Sequence, residues 1–141
     1  MRTLGDLVVL VHDRENPTAA EWSAFLAELR RIDVSRARVL VRTDGAAPDS
    51  LQRQQLNDLL KGQKLPIAVL SDSALVRGVG TALRWFNPAV RVFAASALDG
   101  ALEHLHLPPA QREPLRSALR ELSHELASDA IGASRSGARR A

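Results

Sequence analysis

Four short aliphatic runs recur along this chain, each followed by a stretch with helical hydrophobic spacing, and that alternation limits the available folds more than any other feature. The runs Leu7-Val8-Val9-Leu10-Val11, Ala37-Arg38-Val39-Leu40-Val41-Arg42, Pro66-Ile67-Ala68-Val69-Leu70 and Val90-Arg91-Val92-Phe93-Ala94 have the length and β-branched content of buried strands. After the first, Thr18-Ala19-Ala20-Glu21 forms a capping box, and Trp22, Phe25, Leu26 and Leu29 follow on one face of a helix that runs to about residue 31. After the second, Asp49 is the N-cap of a helix carrying Leu56, Leu59 and Leu60, which Gly62 closes. After the third, Ser71-Asp72-Ser73 caps a helix through Phe86 that stops at Asn87-Pro88. A fourth helix begins near Ser96 and ends at Pro108-Pro109. A last one, roughly 111–126, carries a leucine stripe. Strands buried on both faces and joined by helices call for a parallel sheet, because right-handed crossovers lay the helices on the sheet. The predicted class is α/β: a four-stranded, mostly parallel sheet covered by helices over 1–107, an additional C-terminal helix over 108–127, and a flexible basic tail over 128–141.

Composition narrows the chemistry. The 141 residues contain no cysteine, which removes disulfides, zinc–thiolate sites and thiol nucleophiles together. No apolar run approaches the roughly 18 residues of a membrane-spanning helix, and residues 1–6 lack the regions of a signal peptide, so the expected location is the cytoplasm. The net charge is +3, but without residues 129–141 there are 16 bases against 15 acids; the basic excess belongs to the tail. A nucleic-acid surface would gather Lys and Arg with aromatics between them. The five aromatics, Trp22, Phe25, Trp85, Phe86 and Phe93, fall instead within apolar helix or strand patterns.

In open α/β sheets ligands collect at the carboxyl ends of the strands. Those ends hold His12-Asp13, Arg42 to Asp44, Ser71 to Ser73 and Ala94 to Ser96. Adjacent residues leaving a strand point in different directions, so His12 and Asp13 make a poor acid/base pair, and no nucleophile elbow accompanies them. His104, His106 and His124 lie on the last two helices without a metal-binding spacing. Gly78-Val79-Gly80 lies inside the third helix rather than at a strand-to-helix turn, with Leu83 where a dinucleotide loop needs its third glycine. The two glycines point to close approach of that helix to the sheet or to a neighbouring chain. Asp13 and Asp72 imitate two acids of a response-regulator receiver, but both lysines, Lys61 and Lys64, precede the third strand. These residues predict no catalytic set, no metal and no cofactor.

The stretch from Ala68 to Pro88, Ala-Val-Leu-Ser-Asp-Ser-Ala-Leu-Val-Arg-Gly-Val-Gly-Thr-Ala-Leu-Arg-Trp-Phe-Asn-Pro, then Val90-Arg91-Val92-Phe93 and the closing helix from Ala97 to Leu105, resembles the STAS family in its SpoIIAA-like, anti-sigma-factor-antagonist-like branch. Asn16-Pro17-Thr18-Ala19-Ala20-Glu21-Trp22 is compatible with it, and the resemblance covers about residues 6–107. It implies a non-catalytic bacterial regulatory module that binds another protein, a regulator or kinase, through the surface around the N-terminus of the second helix, where a serine or threonine is the phosphorylation switch. Pro48-Asp49-Ser50-Leu51-Gln52 stands at that turn, with Leu51 and Gln52 in place of a small Ser-Gly pair. The first hairpin common in the family is missing or reduced to residues 1–5, which would leave a sheet edge open to pairing. The candidate partner-binding residues are Asp49, Ser50 and Arg53, with Ser50 the phosphorylation candidate, and Arg77, Thr81 and Arg84, which share a stripe of the third helix. Leu115, Leu119, Leu122 and Leu126 either pack back on the sheet or dock a second copy as a homodimer. The alternative function is a small-ligand binder, for a lipid or nucleotide, which a pocket lined by Trp22, Trp85 and Phe93 would favour.

Overall fold

The structure, a computed structural model, describes residues 1–140 and the side chains of residues 1–132. Ten elements follow in order: β1 (Arg2–Leu4), β2 (Leu7–His12), α1 (Ala19–Arg31), β3 (Arg38–Thr43), α2 (Ser50–Leu60), β4 (Ile67–Leu70), α3 (Ala74–Arg84), β5 (Val90–Phe93), α4 (Leu98–His104) and α5 (Pro109–Arg140). The sheet has five strands, not four, in the order β1-β2-β3-β4-β5. The added strand pairs antiparallel with β2, Leu4 opposite Leu7 and Arg2 opposite Val9. Three residues are too few to show a period, so β1 is invisible as a pattern; the turn makes it. Gly5 takes φ 62° as the first residue of a two-residue loop, a conformation that a side chain would strain and that tight hairpins need. A short hairpin is therefore present, and its edge strand has three residues.

The other four strands are parallel and sequentially adjacent, so three crossovers of one hand place α1, α2 and α3 on the same face. Side-chain alternation divides the core accordingly. Val8, Val39, Ile67, Val69 and Val90 face α1–α3 and pack with Trp22, Phe25, Leu29, Leu56 and Leu83. Leu7, Val9, Leu40, Ala68 and Leu70 face the other way and are covered by Leu102 of α4, by Leu105 just after it and by α5. Leu115, Leu119 and Leu122 of α5 are buried in that second layer. Of the two roles open to the leucine stripe, packing back is the one the structure displays; Leu126 at its end is half-buried against the β2 side. Self-association would need another face.

Caps hold several elements where the sequence puts them, while α3 ends at Arg84 rather than Phe86 and the last two helices depart further. Thr18 accepts from Glu21 N at 3.1 Å and Glu21 accepts from Thr18 N at 3.1 Å, closing the expected box. Helix α4 begins at Leu98 rather than near Ser96, and its N-cap, Ala97, makes no side-chain bond. Its other end is finished by Arg38 of β3, on the same face of the sheet, which donates to the carbonyls of Leu105 and His106 at 3.0 and 2.9 Å, a guanidinium on the negative end of a helix. Helix α5 starts at Pro109 and continues past residue 126 to Arg140. Of the segment expected as a flexible basic tail, 128–141, the side chains from residue 133 onward and all of Ala141 lie outside the described residues.

Candidate functional site

The loop into α2 is fixed before the helix begins. The Asp13 carbonyl accepts from Asp44 N and Ala46 N, Ala47 N donates to Asn16 Oδ1 at 3.0 Å, and Gln52 Nε2 donates to Pro17 O at 2.9 Å. Asp49 is the N-cap as expected, and the cap is reciprocal, since Gln52 N donates to Asp49 Oδ1 at 2.8 Å and Asp49 N to Gln52 Oε1 at 3.0 Å. The Asp49 carboxylate is thus held on its own helix. Gln52, in place of a small residue, locks the turn to the β2–α1 connection. Ser50 is left exposed as the first residue of α2, and Arg53, one turn on, is half-buried with its guanidinium donating to Pro48 O at 2.9 Å.

Arg77, Thr81 and Arg84 are all exposed on α3. The Thr81 hydroxyl donates to the Arg77 carbonyl at 3.0 Å, a bond within the helix. The buried stripe of α3 is Val76, Gly80 and Leu83. Helical spacing sets the arginine stripe on one flank of it and Ala82 and Phe86 on the other, and that second flank meets α2. A groove of about 500 Å³ runs there, with Ser50, Arg53 and Asn57 on the α2 wall and Ala82, Leu83 and Phe86 on the α3 wall. The structure therefore brings Ser50 and Arg53 together but leaves Arg77, Thr81 and Arg84 off the groove, on the opposite flank.

Two residues of this surface escape the sequence reading. Trp85 and Phe86, expected within an apolar helix pattern, are 83% and 68% exposed. Helix α3 ends at Arg84 and the two rings stand in the turn after it. The signal is present in the spacing, because the buried stripe 76, 80, 83 continues to 87 and not to 85 or 86. Position 87 is the buried Asn87, whose amide takes both hydrogen bonds of Leu65: Leu65 N donates to Oδ1 at 3.1 Å and Nδ2 donates to Leu65 O at 2.7 Å. The chain is pinned there, and the aromatics before it face outward.

At the strand ends, His12 and Asp13 do not act as a pair. The Asp13 carboxylate accepts from Glu15 N at 2.8 Å, while His12, on the α1 side of the sheet, lines a cavity with Trp22 and Phe25. Burial pushes the His12 imidazole below its ordinary pKa, with Glu21 opposing. Asp72 accepts from Ala95 N at 3.0 Å and lies two strands from Asp13. Among the described residues no three His, Asp or Glu side chains converge as metal ligands, and no helix is long and apolar enough to cross a membrane. Trp22, Trp85 and Phe93 do not share a pocket: Trp22 is buried against α1–α3, Trp85 is exposed, and Phe93 lies with the α4–α5 layer under Arg91, whose guanidinium carbon is 5.0 Å from its ring centre. The cavity at Trp22 measures about 80 Å³. A second, of about 170 Å³, shares Leu10, His12, Pro17, Trp22 and Phe25 with it.

No family model and no curated protein matches the chain. Among solved structures it is similar to the mannose/sorbose-specific IIA subunit of the phosphotransferase system from Enterococcus faecalis, at 20% identity over 86% of this chain and 92% of that one, with a TM-score of 0.32. A score that low carries neither fold nor function from one protein to the other.

Proposed function

We propose that the chain is a non-catalytic, STAS-like regulatory module that works by docking another protein in the α2–α3 groove. The observation that carries the reading is the exposure of Phe86 beside Arg53 and Ser50, with Trp85 exposed next to it in the chain. Large aromatics and arginine are the side chains that dominate binding energy at protein interfaces, and here Phe86 and Arg53 flank a groove at the turn where the STAS resemblance locates its partner surface. In this reading a partner seats an apolar side chain against Phe86 and an acidic group on Arg53. Ser50 is the switch. A phosphate on Ser50 would sit at the positive end of α2, one turn from the Arg53 guanidinium, with Asp49 opposing it in part.

The test is the affinity of a captured partner for the native chain and three variants. Phe86→Ala and Arg53→Glu are expected to raise Kd about tenfold or more each, and Glu103→Ala, on the exposed side of α4, to leave it unchanged. A second copy of this chain is the competing occupant, and the mass in solution reads it out. A partner whose affinity ignores both groove variants, or a chain that retains no protein, contradicts the reading.

A further inference from the structure

Helix α3 carries a glycine that nothing inside this chain requires. A Cβ on Gly80 would collide with Val92, but a Cβ on Gly78 meets nothing within 4 Å, and Gly78 is exposed in the middle of the helix. Glycine at such a position weakens a helix relative to alanine. At about 100° per residue, Gly78 shares one apolar arc with Ala82, Trp85 and Phe86, all exposed. Guanidinium groups border that arc on both sides. Arg77 and Arg84 lie along the flank beyond Thr81, and Arg53 stands on the α2 wall of the groove. Arg53 and Arg77 donate to the backbone carbonyls of Pro48 and Asp72, and among the described residues no ion pair involves any of the three. Helix α3 has no acidic residue, and the groove lining contributes one carboxylate, Asp58.

Resting on the docking reading above, we propose that the partner covers this face with an amphipathic α-helix whose apolar stripe crosses α3 at Gly78 and Ala82 and whose flanks are acidic. The missing side chain selects a helix. The distance between packed helices is set by the side chains at their crossing, so a glycine one turn before an alanine lets a second helix lie close, with the exposed Trp85 and Phe86 beside it. Charge selects the composition. Carboxylates on one flank of that helix reach Arg77 and Arg84, and those on the other reach Arg53, each exchanging an unpaired guanidinium for a charge-assisted hydrogen bond. A second copy of α3 fits the arc less well. Laid antiparallel over Gly78 and Ala82, it would bring Arg77 of each copy beside Arg84 of the other, and like charges in contact oppose association.

The probe is a synthetic helical peptide with leucine and alanine on one stripe and glutamate on both flanks. Its anisotropy is titrated with the full chain, beside the same peptide carrying lysine for every glutamate and a third form with proline at its centre. The glutamate peptide is expected to bind at least about tenfold tighter than either control, since proline breaks the helix and lysine reverses the charge, and to weaken as salt is raised. Gly78→Gln should raise its Kd about tenfold without lowering the melting temperature, because glutamine is the better helix former. Arg77→Gln combined with Arg84→Gln should raise Kd and flatten the salt dependence. A glutamate peptide that binds no tighter than its controls, or that ignores Gly78→Gln, would overturn the inference, as would a dimer in solution that Gly78→Gln splits, which would make a second copy the occupant. The captured partner separates this inference from the reading beneath it. If its affinity responds to Phe86→Ala and Arg53→Glu but not to Gly78→Gln, the helix is overturned and docking in the groove stands; if it ignores all three, both are overturned.

Discussion

Asn87 shows what a single side chain does in this fold. It substitutes for a strand neighbour, giving Leu65 a donor and an acceptor where the chain enters β4, and it is itself buried. Asn87→Ala leaves the Leu65 N–H and C=O without partners, and about 2–3 kcal/mol of stability should be lost, read as a lower urea midpoint at unchanged slope. In the sequence Asn87 reads only as the stop before Pro88, because a long-range clamp has no local pattern. The Thr18–Glu21 cap is the opposite case. Both partners lie within four residues, and the pattern declares itself. The same neighbourhood sets a pH dependence. Burial lowers the His12 pKa, so the folded chain binds fewer protons there than the unfolded one. That contribution is complete above about pH 6.5 and declines as pH falls toward the lowered value. Glu21, held below its ordinary pKa by the hydrogen bonds from the Thr18 backbone and then side chain, contributes above the ordinary carboxylate value and loses that contribution as pH falls through its own. Both therefore make acid destabilising, in successive windows. In His12→Gln the melting temperature should be flatter between pH 6.5 and 5 than in the native chain, while the decline below about pH 4 persists.

At the scale of elements, helix α3 separates two glycines that look alike in sequence. A Cβ on Gly80 would come 2.5 Å from Val92 Cγ2, so the absence of a side chain is what lets α3 lie on β5. A Cβ on Gly78 meets nothing within 4 Å. Gly78→Ala should stabilise the chain by about 0.5–1 kcal/mol through helix propensity. Gly80→Ala should destabilise by about 1–2 kcal/mol through overpacking, and thermal melts of the two variants should move in opposite directions. The motif Gly78-Val79-Gly80 announces close approach, but only the buried stripe through Val76 and Leu83 says which glycine makes it. Strong periods are legible in the same way: α1, β2 and β4 lie within a residue or two of where aliphatic runs and caps place them. What is lost has a physical cause in each case. Strand β1 depends on a turn rather than a period. Helix α4 lacks a side-chain cap, and its other end is closed by Arg38, 67 residues before Leu105 in the chain. The left-handed closure of α2 begins at Lys61, φ 49°, before the glycine that advertises it.

Over the whole molecule, sequential parallel pairing gathers three helices on one face and leaves the other to α4 and α5. The alternation of strands and helices makes the α/β class legible, and the hand of the crossovers makes the layering follow. The candidate site is legible only in part. Ser50 and Arg53 share the groove because they lie one turn apart on a well-capped helix, whereas its other wall comes from α3, thirty residues on. Helical spacing groups Arg77, Thr81 and Arg84 correctly with one another but cannot say which flank of α3 meets α2. The burial of Leu115, Leu119 and Leu122 against the sheet likewise removes the leucine stripe as an outer surface and concentrates exposed aromatic area at Trp85 and Phe86. The proposed docking in the groove rests on the surface that this burial leaves exposed. The most direct measurement is amide hydrogen exchange of the full chain with and without its captured partner. The account predicts slowed exchange confined to residues 50–58 and 82–86, while protection at α1 and α5 stays as in the free chain. Slowed exchange along α5 or at the β1 edge, with 50–58 and 82–86 unchanged, would contradict it.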